Sequence, residues 1–525
     1  MFAVVKGKSH LPSKSFARIQ KTDKLQKVMK LQSKTRGVQA LMIFIIILNA
    51  LHARAFSLLG PFEPWMTETN GFFPSDEDEI GGPMCISNGY RWNVPVVTYG
   101  FDPSFVNYFG TNGVATVENA ISILNKMPPA SQMNATNYPV TTTRYNYSAQ
   151  SQGLYDLQSE TLSLLVEHLG LDSPDLGIYC LKDFWFTNDV PPYAFGGNIA
   201  GDVLQRNYDP STDLPSDYIQ NNFYSYKLVY YGSNTTPNAI VIPFGEVISS
   251  PSTVACDLQE MGTYFTGLTG DDIGGLRYLL STNNVNYETL LPDVCAANRG
   301  TFVNGAWRPG VDKITFMPQP VDPVSGAFLP VTNLFTDTYI TNGNVVQQQL
   351  ERVTTQPDFL FCLSNFPSDW ALFSRTGTTN WINNSALNGH SSSAGPGIIV
   401  PPVRIVFNKL GQEWDSDSGL SEDSAIAGQY QRWGTFDGST NPPITYPQSQ
   451  TGAIPGNLRM ILMNNMQSQY NWQLPGASQA VFNFQTSTDL TDWVTLFAVT
   501  NNGTATTYIN NAPSSSQRFY RISPQ

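Results

Sequence analysis

Helix signals stop near residue 281 in a chain of 525 residues, and this asymmetry constrains the fold more than any other feature of the sequence. After Gly110 and Gly113, the residues Val114, Val117, Ile121 and Leu124 recur at three- and four-residue steps. That spacing predicts an amphipathic helix, ended by Pro128-Pro129. Residues 155 to 171 predict a second, with Leu162, Leu165, Val166 and Leu169 on one side and Gly170 near its end. A third is signalled from Leu268 to Leu280, where Thr269 can cap the first turn and Asp272 stands at the capping-box position. The run from Tyr90 to Phe101 reads as a buried strand. Aromatic and β-branched runs between about 180 and 255 read as strands and long loops. From Ala297 onward there is no long helix signal. Val331 to Glu351, Pro401 to Phe407 and Leu458 to Met463 look like strands, and from Gly456 strand signals and turns alternate at short intervals. The expected fold class is therefore multidomain α+β and all-β. An α+β domain comes first, a β-rich region follows, and a small C-terminal β-sandwich closes the chain.

Composition narrows the function classes. Charged residues are 13% of the chain, against roughly 25% in ordinary soluble domains. Asn, Ser, Thr, Gln and Tyr must supply the polar surface, which favours a turn-rich exported protein. The formal net charge is −12 and the later chain carries no basic stripe, so nucleic acid is not an expected partner. Near the N-terminus, Lys30, Lys34 and Arg36 precede the apolar run Ala40 to Leu51, which Ala53-Arg54-Ala55 follows. This is the order of a secretory signal peptide, with cleavage expected after Ala55 and an alternative start at Met29. The run is shorter than the about 20 apolar residues of a membrane span, which disfavours an uncleaved anchor. The expected location is extracellular or the cell surface, with the periplasm as the other compartment. Export permits disulfides. The five cysteines, Cys85, Cys180, Cys256, Cys295 and Cys362, contain no Cys-x-x-Cys pair. Two bridges plus one free thiol, or five reduced cysteines, both fit the count.

The second helix carries the chain's most specific motif. Asp156-Leu157-Gln158-Ser159 leads in, and Leu169-Gly170-Leu171-Asp172-Ser173-Pro174-Asp175 leads out. The segment resembles the active-site region of metzincin zinc peptidases, in their matrixin branch. There, His-Glu-x-x-His-x-x-Gly-x-x-His supplies three zinc ligands and a Glu that polarises water. Setting Gly170 on the family glycine puts Ser163 at the first ligand position, Leu164 at the general base, Glu167 at the second ligand and Ser173 at the third. Of these only Glu167 is a ligand type, and Leu164 cannot act as a base. The resemblance extends over about residues 90 to 282. It implies that Val114–Leu124 is the first long helix, that Leu268–Leu280 is the last, and that Met261 lies where the family has its methionine turn. Beyond the expected cleavage point only His168 and His390 remain, too few for a three-His site. Zinc is therefore not expected. His168 reads as a surface or cap residue.

Other chemistry is thin. Asp415 and Asp417, with Glu422 and Asp423 close behind, have the oxygen density of a calcium loop without the full EF-hand spacing. A solvated acidic loop is the first reading and calcium the second; the run Asp76 to Glu79 reads the same way. Asp271 and Asp272 are explained by a helix N-terminus. The segment from Phe482 to Trp493, with Arg518-Phe519-Tyr520-Arg521, resembles a small C-terminal β-sandwich of large secreted proteins from Verrucomicrobia-like bacteria. That likeness implies core roles for Trp493 and Phe519, a turn at Asp489 and a surface or secretion role. The expected division is a signal peptide over 1–55, an extension over 56–89, a metzincin-like domain over 90–295, a β-rich region over 296–455 and the sandwich over 456–525. The expected function is a non-catalytic, exported structural or binding protein with protein, glycan or self-association contacts. The alternative is a secreted hydrolase, an atypical metallopeptidase or an enzyme with its site in the β-rich region.

Overall fold

The computed structural model describes residues 54–72, 81–87, 89–186, 199–231, 238–244, 253–255, 260–367, 375–383, 397–409, 432–447, 461–462, 469–472, 481–487, 493–500, 506–509 and 519–524. The chain mixes helices with several sheets. Three helices longer than one turn are described: α1 (Pro103–Asn125), α2 (Leu157–Glu167) and α3 (Gly270–Leu280). All three fall where the hydrophobic spacing places them. α1 begins earlier than its periodicity suggested. Asp102 caps it by accepting from Ser104 N at 2.8 Å, Pro103 fills the first turn, and Gly110, at φ 64°, kinks it. Among the described residues no helix is long and apolar enough to cross a membrane.

Eight strands organise the rest: β1 (Phe56–Gly60), β2 (Val96–Phe101), β3 (Thr315–Pro318), β4 (Val331–Thr341), β5 (Asn344–Thr354), β6 (Phe359–Pro367), β7 (Arg375–Asn383) and β8 (Gly397–Lys409). The central sheet has the order β3-β2-β6-β8-β7. β3, β2, β6 and β8 run parallel, with Thr315 beside Val96, Phe359 beside Tyr99 and Phe359 beside Val403. β7 alone is antiparallel. A sheet of parallel strands must be covered, and its strands accordingly read as near-continuous apolar runs. β4 and β5 form a long hairpin in a second sheet with Asn286–Glu288, Val294–Ala296 and Ala306–Arg308. Its turn is Asn342-Gly343, both at positive φ, the dipeptide that two-residue hairpins select. The expected single strand over Val331 to Glu351 is thus two strands. The expected strand from Tyr90 begins only at Val96, because Tyr90 and Trp92 are buried individually rather than in a ladder.

The boundaries expected at 89/90 and 295/296 both run through shared structure. One apolar core joins Phe56 and Leu58 of β1, the helices, and Phe359, Phe407, Trp433 and Tyr446. β1 pairs with Leu171–Asp172, directly after α2, and with Asn207–Tyr208. The central sheet takes β2 from one side of residue 295 and every other strand from the far side.

Three buried guanidinium groups stitch these segments. Arg91 donates to Glu288 Oε1 at 2.7 Å and to the carbonyls of Asn284 and Arg308, with about 1% of either charged side chain exposed. Arg308 grips Asp337 through Nε (2.9 Å) and Nη2 (3.1 Å) and also binds the carbonyls of Glu288, Asn304 and Val303. Arg352 binds Asp293 through Nε and meets both oxygens of Asp358, at 2.5 and 2.9 Å. Asp358 in turn accepts Thr98 N of β2 at 2.7 Å. Every nitrogen of these guanidinium groups has a partner, and each group reaches at least one residue 20 or more positions away, so each fixes a tertiary contact.

Toward the C-terminus, antiparallel strands form two small sheets. One has the order Ile461–Leu462, Phe519–Pro524, Val481–Ser487, Val494–Thr500, and the other pairs Gln469–Trp472 with Thr506–Ile509. Phe484 and Phe497 stack at 4.9 Å. Trp493, expected in the core, is half-buried instead, with the Arg521 guanidinium 4.3 Å over its ring. Asp489 lies outside the described residues, as do His390, Cys256 and the acidic run at 76–79. Cys85, Cys180, Cys295 and Cys362 are free thiols, so no bridge joins any two of them.

Removing one partner of a buried, fully bonded pair leaves an uncompensated charge. Arg352→Ala should therefore lower unfolding free energy by about 3–5 kcal/mol, read as a shift in the urea midpoint. The exposed pair Lys182–Asp202, broken by Lys182→Ala, should shift it by less than about 1 kcal/mol.

Candidate functional site

α2 starts from a buried cap. Asp156 accepts from Ser159 N at 2.9 Å and Ser159 Oγ at 2.6 Å, and Ser159 Oγ also takes Phe265 N at 2.7 Å. The short strand Leu154–Asp156 pairs in parallel with Arg432–Thr435, and Phe436 N reaches Asp156 Oδ1. The cap is thus held by two segments about 110 and 280 residues downstream. Nothing local in the sequence announces either. Burial pushes the Asp156 carboxyl up to about 7, against the lowering effect of its bonds to Ser159.

The helix itself is buried along almost its whole length, including its polar residues Ser159, Glu160, Thr161, Ser163 and Glu167. Ser163, wholly buried, donates Oγ–H to Glu167 Oε1 at 2.9 Å, one turn on. Leu164, 3% exposed, belongs to the apolar core. Ser173 follows the strand Leu171–Asp172 and is engaged there: its N–H donates to Asp172 Oδ1 at 2.7 Å, and its carbonyl accepts from Leu176 and Gly177. The structure therefore brings Ser163 and Glu167 together as a hydrogen-bonded pair inside the helix, while Ser173 serves the next turn.

His168 is a buried C-cap and has no surface role. Its Nδ1 lies 2.7 Å from Leu164 O, and its carbonyl accepts from Trp92 Nε1 at 2.8 Å. Gly170 follows at φ 111°, where a Cβ would stand 2.2 Å from Tyr90 O, so only glycine fits this exit turn. Its carbonyl accepts from Leu59 N of β1. The flanks that carry the resemblance, Asp156-x-x-Ser159 and Gly170, are thus used here for capping and turning.

α3 shows the capping box in full. Thr269 Oγ1 accepts from Asp272 N, and Asp272 Oδ2 accepts from Thr269 N at 2.8 Å, while Val254 N and Ala255 N also bind Asp272. Asp271 is buried beside it, takes Gln220 N, and is pushed up to about 8 by burial first and by the Asp272 charge second. Met261 is half-buried and precedes Gly262, whose positive φ turns the chain into Thr263–Phe265.

The donor set at the four zinc-site positions does not fit zinc. A leucine and two serines stand where nitrogen ligands and a base are needed, and the one carboxylate is bonded to Ser163 in the buried helix. Among the described residues no group of three or more His, Cys, Asp or Glu gathers to hold a metal. Asp415, Asp417, Glu422 and Asp423 lie outside the described residues. Compared with protein-family models, curated proteins and solved structures, the chain finds no match.

Asp156 and Asp271 hold their protons more tightly folded than an unfolded aspartate, near 3.9, does. Between about pH 4 and pH 8 the folded state binds more protons, so stability is full at the acid end and falls as pH rises. Urea midpoints should decline from pH 5 to pH 8. Asp156→Asn keeps an acceptor for Ser159 and should flatten that slope by up to about 1.4 kcal/mol per pH unit. An unchanged slope would remove Asp156 as its source.

Proposed function

We propose that the chain is an exported, non-catalytic binding protein of the cell surface or extracellular space. In this reading its first half is a metzincin-like scaffold whose active-site helix has become a structural element. The observation that carries the reading is the Ser163–Glu167 hydrogen bond, with Leu164 packed in the core beside it. A hydrolytic site needs an open coordination position and a base that reaches water. Here the corresponding turn is buried and bonded to itself.

Recognition by surface contact has its own support. Trp185 is 51% exposed and Phe223 56%, and the ring pairs Phe184–Phe186, Phe186–Tyr230 and Tyr179–Tyr226 lie on or directly beside the neighbouring antiparallel strand pairs Cys180–Phe186/Ile199–Leu204 and Ser225–Tyr231/Asn238–Phe244. Planar aromatic side chains are suited to both protein and glycan partners. The signal-like N-terminus supports export, and the low charge is compatible with self-association.

The test is metal content and peptidase activity of the purified protein after incubation with zinc. Zinc should stay far below one ion per chain, casein should not be cleaved, and Glu167→Ala should change neither. Stoichiometric zinc that disappears in Glu167→Ala would overturn the proposal in favour of an atypical metallopeptidase. Metal-independent hydrolysis that survives the substitution would overturn it in favour of an enzyme with its site elsewhere.

A further inference from the structure

A groove of about 330 Å³ opens between the C-terminal turn of α1 and the two segments that flank residues 139 and 267. Ile123 of α1, Met127 just beyond its end, Tyr138 and Leu268 give it apolar walls. A charged group interrupts them. Lys126, the last residue of the α1 turn, is exposed and has no ion-pair partner among the described residues. Thr142 is 1% exposed, and its hydroxyl is packed into the wall out of reach of the groove.

The walls are braced independently of anything the groove holds. Thr266 N donates to Thr142 O at 3.0 Å and Gly270 N to Pro139 O at 2.9 Å. Arg54 Nη2 donates to Tyr138 O at 3.2 Å. Gly267 has open space where a Cβ would project. The groove is therefore preformed, mostly apolar and supplied with few polar groups, the usual character of a small-ligand site, at the small end of the range of about 300–1,000 Å³.

We propose that this groove binds a small carboxylic acid with an apolar body. The body lies against Ile123, Met127, Tyr138 and Leu268, and the carboxylate pairs with the Lys126 ammonium. A single cation beside apolar walls suits one negative charge; a phosphate would call for more donors than the groove offers. The proposal is independent of the pseudo-peptidase reading, since no residue of α2 lines the groove.

The test is calorimetric titration of the full chain with octanoate, octan-1-ol and octylamine at 150 mM salt. Octanoate should bind tightest and octylamine weakest. Lys126→Gln, at an exposed position, should weaken octanoate at least tenfold and leave octan-1-ol unchanged. Ile123→Trp should fill the groove and abolish binding of all three, with an unchanged circular dichroism spectrum showing that the fold is kept. The proposal is overturned if octanoate fails to bind up to millimolar concentration, if octylamine binds as well as octanoate, or if Ile123→Trp leaves octanoate binding intact.

Discussion

Three arginines, Arg91, Arg308 and Arg352, set the conditions that the rest of the structure obeys. Each is buried, and a buried guanidinium must have its donors met or the fold is lost. Their partners are Glu288, Asp337, Asp293 and Asp358, together with carbonyls from residues 284 to 308. Arg91 leads into β2, and Asp358 leads into β6 while also binding Thr98 inside β2. The central sheet and the hairpin sheet are therefore held in register by charge as well as by packing. This is the reason that segments expected to be separate domains share one core.

Within that frame α2 is enclosed on several sides. Ser159, Thr161, Ser163 and Glu167 are bonded within the helix or its cap, and its ends are held by distant chain: Arg432–Thr435 and Phe265 at the start, β1 at the exit turn. A helix that presents a reacting centre must leave one face open to substrate. This one gives up its faces to α1, to Arg432–Thr435 and to Thr263–Phe265. Ser163 and Glu167 pair within it, and the hydroxyl satisfies a carboxylate that burial would otherwise leave in an apolar surround.

What could be read from the sequence was local. The three helices follow from hydrophobic spacing, and the Thr269–Asp272 box follows from residue types at a three-residue step. The Asn342-Gly343 turn carried an equally local signal that the expectation of one long strand passed over. Long-range pairing left no comparable trace. The parallel register of β2 with β3 links residues more than two hundred positions apart, and no turn chemistry encodes it. The role of Arg91 was hidden for the same reason, because a buried arginine and an exposed one look alike in sequence until the carboxylate that meets it is placed. At the candidate site, the types at 163, 164, 167 and 173 were enough to question zinc. The Ser163–Glu167 bond and the inward cap at His168 depend on how the helix is buried, which residue types alone do not state.

The parallel sheet also dictates an order of assembly. β2 finds its two neighbours only in β3 and β6, so a chain shorter than about residue 315 holds Val96–Phe101 with both edges bare. Unpaired apolar edges of this kind recruit other chains, and loop closure over such distances is slow. The central sheet thus cannot close until β3 and β6 have both been made, and the first of its strands must wait for more than half of the chain.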